Sequence, residues 1–473
     1  MSFQKYSSYK DSGVEWLGEV PAHWRLERLK RICSITPSNV DKKTYEGQNA
    51  VRLCNYTDVY YNDEITSDMD FMEATASDEE IRKFTLRAGD TIVTKDSESA
   101  DDIGIPAYVP QDLHGVVCGY HLTTLRPKPG INGKFIKRLF ESPFLKARFA
   151  VSANGLTRVG LSQYAIDNTV VPVAPIDEQN TIAAFLDHET ARIDALVAEQ
   201  KRLIELLKEK RQAVISHAVT KGLDPNVPMK DSGVEWLGEV PAHWRITRMK
   251  YVLDQNEGIQ IGPFGGMLKE LSHLETGYKV YGQENTISGD FSLGSRWLEK
   301  DQYKDLANYI LRPGDLVLTR KGSLGNCRIS PKDVKPGVID SDTIRLRANK
   351  RLIDPKYLQL LLHEAAYIQE QVLMAKRGAI LAGLNTTTIA DLICAIPGYS
   401  EQLGIMDWIW QKIEKIDEVV HYTHSLINLL REHRSTLISA AVTGKIDVRG
   451  WVPVGESKEN DCLMAAEESA SYQ

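Results

Sequence analysis

Few residue constellations in this chain are spaced for catalysis. Gly155 to Gly160 has the Gly-x-x-x-x-Gly frame that cradles phosphate on backbone N–H groups, but Leu161 stands where the phosphate-binding lysine must be. The segment IGPFGGMLK, Ile261 to Lys269, lacks the Gly-x-Gly-x-x-Gly spacing of a dinucleotide turn and reads as a loop. Asp333-x-Lys335 and Glu456-x-Lys458 have the carboxylate-then-lysine order of some nuclease sites, a triplet too common by chance to carry an argument. His23 and His243 stand beside Trp24 and Trp244, a setting that suits packing better than proton transfer. Cys33, Cys54, Cys118, Cys327, Cys394 and Cys462 form no Cys-x-x-Cys pair and have no histidine cluster nearby, so they read as reduced packing residues, not as disulfides or zinc ligands. There is no Asn-Pro-Pro-aromatic or Asp-Pro-Pro-Tyr tetrapeptide of the kind that holds a target amine for methyl transfer. These residues point to binding, not chemistry.

A length of 473 residues allows two or three domains with full cores, and 42% apolar with 26% charged is ordinary globular material. The N-terminus has no apolar signal region and no stretch approaches the ~18 apolar residues of a membrane span, so a cytoplasmic location is expected. A net charge of -7 argues, taken alone, against a nucleic-acid partner. Its distribution is uneven. Eight acids and no base lie between Asp63 and Glu80, whereas Arg126, Lys128, Lys134, Lys137, Arg138, Lys146, Arg148 and Arg158 face only Glu141. A second basic stretch runs from Arg345 to Asn385, with seven bases against Asp354, Glu364 and Glu370. A single charge run is usually a solvated face, but recurrence at the equivalent place in the chain favours a phosphate-facing surface.

That equivalence rests on a repeat. KDSGVEWLGEVPAHWR at Lys10 to Arg25 recurs unchanged at Lys230 to Arg245. Ile193 to Asp224 aligns without gaps on Ile416 to Asp447, with 15 of 32 positions identical. Both stretches lack proline and read as long helices. Ile193, Val197, Gln200, Ile204, Leu207, Arg211, Val214 and Ala218 alternate spacings of four and three, as do Ile416, Val420, Thr423, Ile427, Leu430, Arg434, Leu437 and Ala441. This is a coiled-coil seam, interrupted in each copy by polar residues at the same two levels. Two helices lying separately on their own domains is the alternative, and the shared phase favours mutual pairing.

Between the repeated parts the halves diverge but keep one skeleton. LRAGDTIVTK at Leu86 matches LRPGDLVLTR at Leu311, a Gly-Asp turn followed by a β-branched strand. HGVVCGYHLTTLRP from His114 resembles PGVIDSDTIRLRA from Pro336, and each precedes an amphipathic helix. NGLTRVGLS at Asn154 and RGAILAGLN at Arg377 are glycine-bounded loops. VPVAPIDEQ and CAIPGYSEQ then lead into the long helices. One α/β scaffold displaying two sets of loops is how a fold carries two specificities.

The segment SGVEWLGEVPAHWR before a divergent region, the EQ-initiated helix ending in AVTKG or AVTGK, and the whole arrangement in tandem resemble the specificity subunit of type I restriction-modification systems, over about Tyr9 to Asp447. The resemblance implies an α/β architecture: two target recognition domains joined by two long antiparallel helices, with an internal pseudo-two-fold repeat. It implies a non-catalytic chain that reads a bipartite, asymmetric DNA site. Its partners would be double-stranded DNA, two modification (methyltransferase) subunits and up to two restriction subunits; S-adenosylmethionine, ATP and Mg would belong to those subunits, and no cofactor or metal to this chain. The contrasting possibility is a coiled-coil scaffold whose variable domains bind proteins.

On that reading the candidate DNA contacts are Lys95 and Ser97 after the Gly-Asp strand and Thr157 and Arg158 in the glycine-bounded loop, matched in the second half by Arg320, Lys321 and Ser323, with Arg377, Asn385 and Lys269. Arg and Lys suit guanine O6 and N7, and Asn suits adenine. The identical segments, lying before each variable domain, would dock the modification subunits through Trp16, Trp24, Trp236 and Trp244. The boundaries expected are 1–185 for the first domain, 186–222 for the central helix, 223–400 for the second domain, 401–444 for the last helix, and a disordered tail over 445–473. A helix from Asp187 to Lys221 would be roughly 50 Å long at ~1.5 Å per residue, enough to space two half-sites by one to one and a half turns of DNA at ~34 Å per turn.

Overall fold

The computed structural model describes residues 4–155, 157–268, 277–320, 326–377 and 384–452. It divides into two compact units, the first made of residues 1–200 and 425–473 and the second of 201–424. Each unit therefore owns part of both long helices.

The same order of elements builds both units. The identical segments form identical hairpins, Tyr9–Asp11 on Glu19–Pro21 and Met229–Asp231 on Glu239–Pro241, with the same register. A strand then leaves each hairpin and pairs with the last strand before the long helix: Arg25–Arg28 with Val170–Val173, and Arg245–Arg248 with Ile393–Ile396. Between them lies the α/β body. Its four-stranded antiparallel sheet has Leu122–Pro127 between Cys33–Pro37 and Thr91–Thr94, with Pro106–Tyr108 at the edge. In the second unit Thr343–Leu346, Ile259–Ile261, Leu316–Thr319 and Cys327–Ile329 take the same places. A second sheet in each body contains one parallel pair, Val117 beside Leu53 and Val338 beside Val280.

The Gly-Asp turns are held identically. Asp90 takes Arg126 at 2.6 and 2.8 Å, and Asp315 takes Arg347 at 2.7 Å through each oxygen. Much of the basic run from Arg126 is consumed in this way. Lys134 pairs with Glu64 and Asp187, Lys137 with Asp63 and Glu141, and Arg138 with Glu141 and Asp187. The first two acids of the acidic stretch thus neutralise two of the bases, and the basic run is largely internal wiring, not a phosphate-facing surface. In the second unit Arg345 is 3% exposed and donates to the carbonyls of Asn308, Ile310 and Glu257. Burial of a guanidinium is tolerable only with such partners.

The long helices span Ile176–Lys221 and Tyr399–Val442. The first begins ten residues before the expected 186 because the strand-to-helix loop is short and Pro175, Asp177 and Glu178 form its opening turn. Every seam position named above is buried or half-buried. In the first unit Asp194 meets Arg434 at 3.1 Å and Phe185 packs on Trp451; in the second Arg211 meets Asp417 at 3.6 Å and Gly222 lies beside Glu401. Within each unit, then, the helices run antiparallel. The polar seam residues have separate tasks: Arg211 grips Glu364 through two hydrogen bonds of 2.7 and 3.0 Å, tying helix to α/β body, and Thr423 turns back on its own helix.

The expected disordered tail is placed over its first eight residues. Val448 is buried, the Asp447 N–H donates to the Gln4 carbonyl, and Arg449 lies over the Tyr6 ring. Residues 453–473, with Cys462 and the Glu456-x-Lys458 triplet, lie outside the described residues.

Candidate nucleic-acid interface

The Glu-Gln dipeptide that opens each long helix positions everything upstream. Glu178 accepts from Trp24 Nε1 at 3.0 Å, from His23 Nε2 at 2.8 Å and from the Tyr6 hydroxyl. Glu401 accepts from Trp244 Nε1 and His243 Nε2, both at 2.9 Å. The adjoining Gln179 accepts from the Asn132 N–H and donates to the Ala174 carbonyl; Gln402 does the same with Asp354 and Pro397. Trp24 and Trp244 are 0% and 1% exposed. They are interior residues serving this clamp, so the docking role expected of them is corrected. Trp16 is 38% exposed and stacks on Phe144, and Trp236 is half-buried against Tyr367.

With the body fixed, one strand in each unit delivers a basic residue to the same node. Lys95 follows Thr94, and Arg320 follows Thr319. The Lys95 N–H donates to the His121 carbonyl at 3.0 Å and its carbonyl accepts from Leu161 N–H at 2.8 Å; Arg320 bonds Asp342 and Leu384 in the same way, both at 2.9 Å. The neighbouring turn is gathered too, since the Ser38 N–H donates to the Leu122 carbonyl and Gly262 N–H to Thr343. Three loops are thereby brought to one end of each sheet.

The node side chains hold those loops. Lys95 Nζ donates to the Ser38 carbonyl at 2.9 Å and lies 4.6 Å from the Tyr120 ring centre, and burial holds its ammonium below the ordinary lysine range. Arg320 donates to the Leu384 and Ser341 carbonyls and lies 5.0 Å from the Phe264 ring centre. Both were expected to touch bases; in the structure each also shapes loops through bonds to backbone carbonyls. Ser97 is buried in the two-residue pairing with Val159, whereas Thr157 is exposed. Arg158 is half-exposed and pairs with Asp96 Oδ1 at 3.0 Å. Asn385 caps the helix Thr386–Asp391, its side-chain oxygen accepting from Thr388 N–H at 2.7 Å. That engages the acceptor a bidentate adenine contact needs. Ser162 caps the helix Gln163–Asp167 in the same place, so the shared GLS and GLN ends were helix-cap signals.

Lys269, Lys321 and Ser323 lie outside the described residues, and Arg377 ends the helix Ala366–Arg377 without a described side chain.

Residues that the sequence reading did not select surround a cavity of about 450 Å³ in the first unit, among them Lys42, Lys43, Asn55, Tyr56, Tyr120 and His121. The His121 Nδ1 is 2.9 Å from Asp96 Oδ2, the carboxylate whose other oxygen holds Arg158. The signal available was the mismatch at the turn, Tyr120-His121 against Ser341-Asp342 between two matching strands.

Among the described residues no three His, Cys, Asp or Glu side chains cluster to hold a metal, and no helix is long and apolar enough to cross a membrane. Burial pushes the Cys33, Cys118 and Cys394 thiols up to about 12, the behaviour of packing residues.

Comparison with known proteins agrees with this geometry. Residues 21–206 match the type I restriction modification DNA specificity domain. The chain is 19% identical to the putative type I restriction enzyme MjaX specificity subunit of Methanocaldococcus jannaschii, over 95% of this chain and 99% of that one. It is 21% identical to the EcoKI specificity subunit of Escherichia coli, over 96% and 94%. Among solved structures, a chain from work on the assembly and conformational transition of a type I restriction-modification system superposes with a TM-score of 0.69 at 17% identity, covering 89% of this chain and 98% of that one. The HsdS subunit from Thermoanaerobacter tengcongensis gives 0.55 at 17% identity, covering 92% and 100%. With the repeated clamp, the shared loop node and near full-length coverage in agreement, the chain is similar along its length to the specificity subunits of type I restriction-modification systems.

Proposed function

We propose that this chain is the DNA-reading subunit of a type I restriction-modification assembly, with each α/β body reading one half of a bipartite, asymmetric site. The observation that carries this is the node: two bodies matched in their backbone hydrogen bonds at Lys95 and Arg320 project different residues from the same three loops. Shared framework with divergent loops suits two dissimilar half-sites, whereas identical subunits require a palindrome. The chain's net charge of -7 and the internal pairing of its bases leave much of the phosphate contact to partner subunits.

Those partners are two modification subunits supplying adenine methylation from S-adenosylmethionine, and up to two restriction subunits using ATP and Mg. Two exposed or half-exposed tryptophans in identical hairpins, Trp16 and Trp236, supply equivalent docking points for the modification subunits. The test is to co-express the chain with its modification subunits in a host lacking other methylation and to map methylated adenines. A motif of two unlike parts separated by unread bases is expected. A scaffold that bound only proteins would yield no motif and retard no genomic fragment in a gel shift.

A further inference from the structure

Resting on that DNA-reading function, we propose that His121 is a specificity-determining residue of the first unit, accepting a hydrogen bond from a base amine, with Asp96 and Arg158 as its positioning residues. His121 occupies the turn between strands Val116–Cys118 and Leu122–Pro127, at the end of the sheet where the node gathers the loops. The turn cannot drift. The His121 carbonyl is held by the Lys95 N–H, and the next residue, Leu122, is hydrogen-bonded to both Gly119 and Ser38. Gly119 is pressed against the chain beneath it, for a Cβ there would come within 2.7 Å of the Cys54 carbonyl oxygen.

On this fixed backbone the imidazole is oriented from one side. Asp96 Oδ2 accepts at Nδ1, 2.9 Å away, which puts the ring hydrogen on Nδ1 and leaves Nε2 as an acceptor in the neutral ring. Arg158 Nη2, 3.0 Å from Asp96 Oδ1, forms an ion pair with the carboxylate outside hydrogen-bond geometry and balances its charge next to DNA phosphate. Arg158 therefore acts through Asp96. The ring packs edge-on against Tyr120, at 4.8 Å between centres, and borders the 450 Å³ cavity that Lys42 and Lys43 also line. An oriented acceptor, an aromatic neighbour and nearby ammonium groups together suit a base edge flanked by phosphates. In the major groove the groups that donate to such an acceptor are adenine N6 and cytosine N4.

The second unit supports the assignment by contrast. Its node is the same, yet Asp342 stands where His121 does and Lys321 follows Arg320 where Asp96 follows Lys95. Such a change of side chains at a preserved position is the mark of a reading residue, since a framework residue would be kept with its bonds.

The experiment uses the full chain in complex with its modification subunits and a panel of duplexes carrying the mapped site, with each base pair of both half-sites replaced in turn. His121→Ala should lose about tenfold discrimination at one base pair of one half-site and keep every other position. Asp96→Asn and Arg158→Ala should show smaller losses at the same pair, and His121→Gln, which restores an acceptor, should recover part of it. Replacing the amine-bearing base at that pair by an analogue without the amine should weaken the wild type and leave His121→Ala indifferent. Unchanged discrimination by His121→Ala, or a loss spread evenly over both half-sites, would overturn the assignment. Reading of the second half-site reports whether the variant is folded. A wild-type complex that binds every duplex alike would instead defeat the DNA-reading function itself.

Discussion

The two units make the same bonds at different depths. In the first, Glu178 is 6% exposed and collects three donors; in the second, Glu401 is half-exposed and collects two, because no tyrosine corresponds to Tyr6. The first clamp is further closed by Arg449 over Tyr6, by Asp447 on Gln4 and by Trp451 on Phe185 and His188. Identical sequence has thus been placed in unequal surroundings. KDSGVEWLGEVPAHWR forms the same clamp in both halves, while its contribution to stability depends on what covers it.

The two units should differ most at the helix ends. Gly444 and Gly222 both have positive φ, +70° and +74°. A Cβ at Gly444 would meet the rigid Pro21 ring at 2.3 Å, whereas at Gly222 its nearest neighbour is Trp244 at 3.3 Å. Gly444→Ala should cost about 3 kcal/mol or more, combining left-handed strain with overpacking, and Gly222→Ala about 1 kcal/mol. Urea denaturation followed by tryptophan fluorescence measures both. Equal losses would mean that the two closures are energetically alike.

Next in size are the clamp carboxylates. Glu178→Ala strands the buried Trp24 N–H and the Tyr6 hydroxyl and should cost about 2–3 kcal/mol, against about 1–2 kcal/mol for Glu401→Ala, which strands the buried Trp244 N–H alone while the half-exposed His243 turns to water. The same denaturation assay applies, and a larger loss at Glu401 would reverse the ranking.

How much of this was legible in the sequence depends on what kind of residue is asked about. The repeat, the α/β bodies and the seam from Ile193 to Ala218 were readable because they rest on identity and periodicity, which act locally. The Glu-Gln dipeptide reads locally as a helix start; that Glu178 clamps a tryptophan 154 residues earlier is a long-range fact with no local trace. Charge runs misled for the same reason. Lys137 and Asp63 lie far apart in the chain and looked like opposite surfaces, yet they meet at 3.2 Å. At the candidate interface, spacing pointed to the loops that the node gathers but not to the bonds their side chains make: Lys95 and Arg320 donate to carbonyls, and His121, one residue into a turn, carries no composition signal.

The third contrast is between those node residues. Both shape loops through bonds to backbone carbonyls, so Lys95→Met should loosen reading of one half-site and Arg320→Met of the other, each by roughly tenfold, or ~1.4 kcal/mol. The Arg320 fork spans two carbonyls, Leu384 and Ser341, while Lys95 reaches one, Ser38. Arg320→Lys should therefore retain less discrimination than Lys95→Arg. Binding to duplexes altered in one half-site at a time reads the effect. Loss of both half-sites from either substitution would show that the node governs folding, not the shape of one reading surface.

The smallest effect is expected where the two units are most alike. Trp16 and Trp236 occupy the same position of identical hairpins, each stacked on an aromatic ring of its own body, with centres 5.2 Å from Phe144 and 6.3 Å from Tyr367. Because part of each ring is already covered inside the chain, Trp16→Ala and Trp236→Ala should each weaken capture of a modification subunit several-fold, roughly 1 kcal/mol, a modest effect for a partly buried interface aromatic. Neither should alter the methylated motif, since the hairpin lies outside the loops gathered at Lys95 and Arg320. Titration of the modification subunit against each variant, with methylation mapping at saturating subunit, separates the two roles. A changed motif would move the hairpins from docking into reading. A weakened second site beside an untouched first would mean that the covering residues around Trp16, not the tryptophan, make the contact.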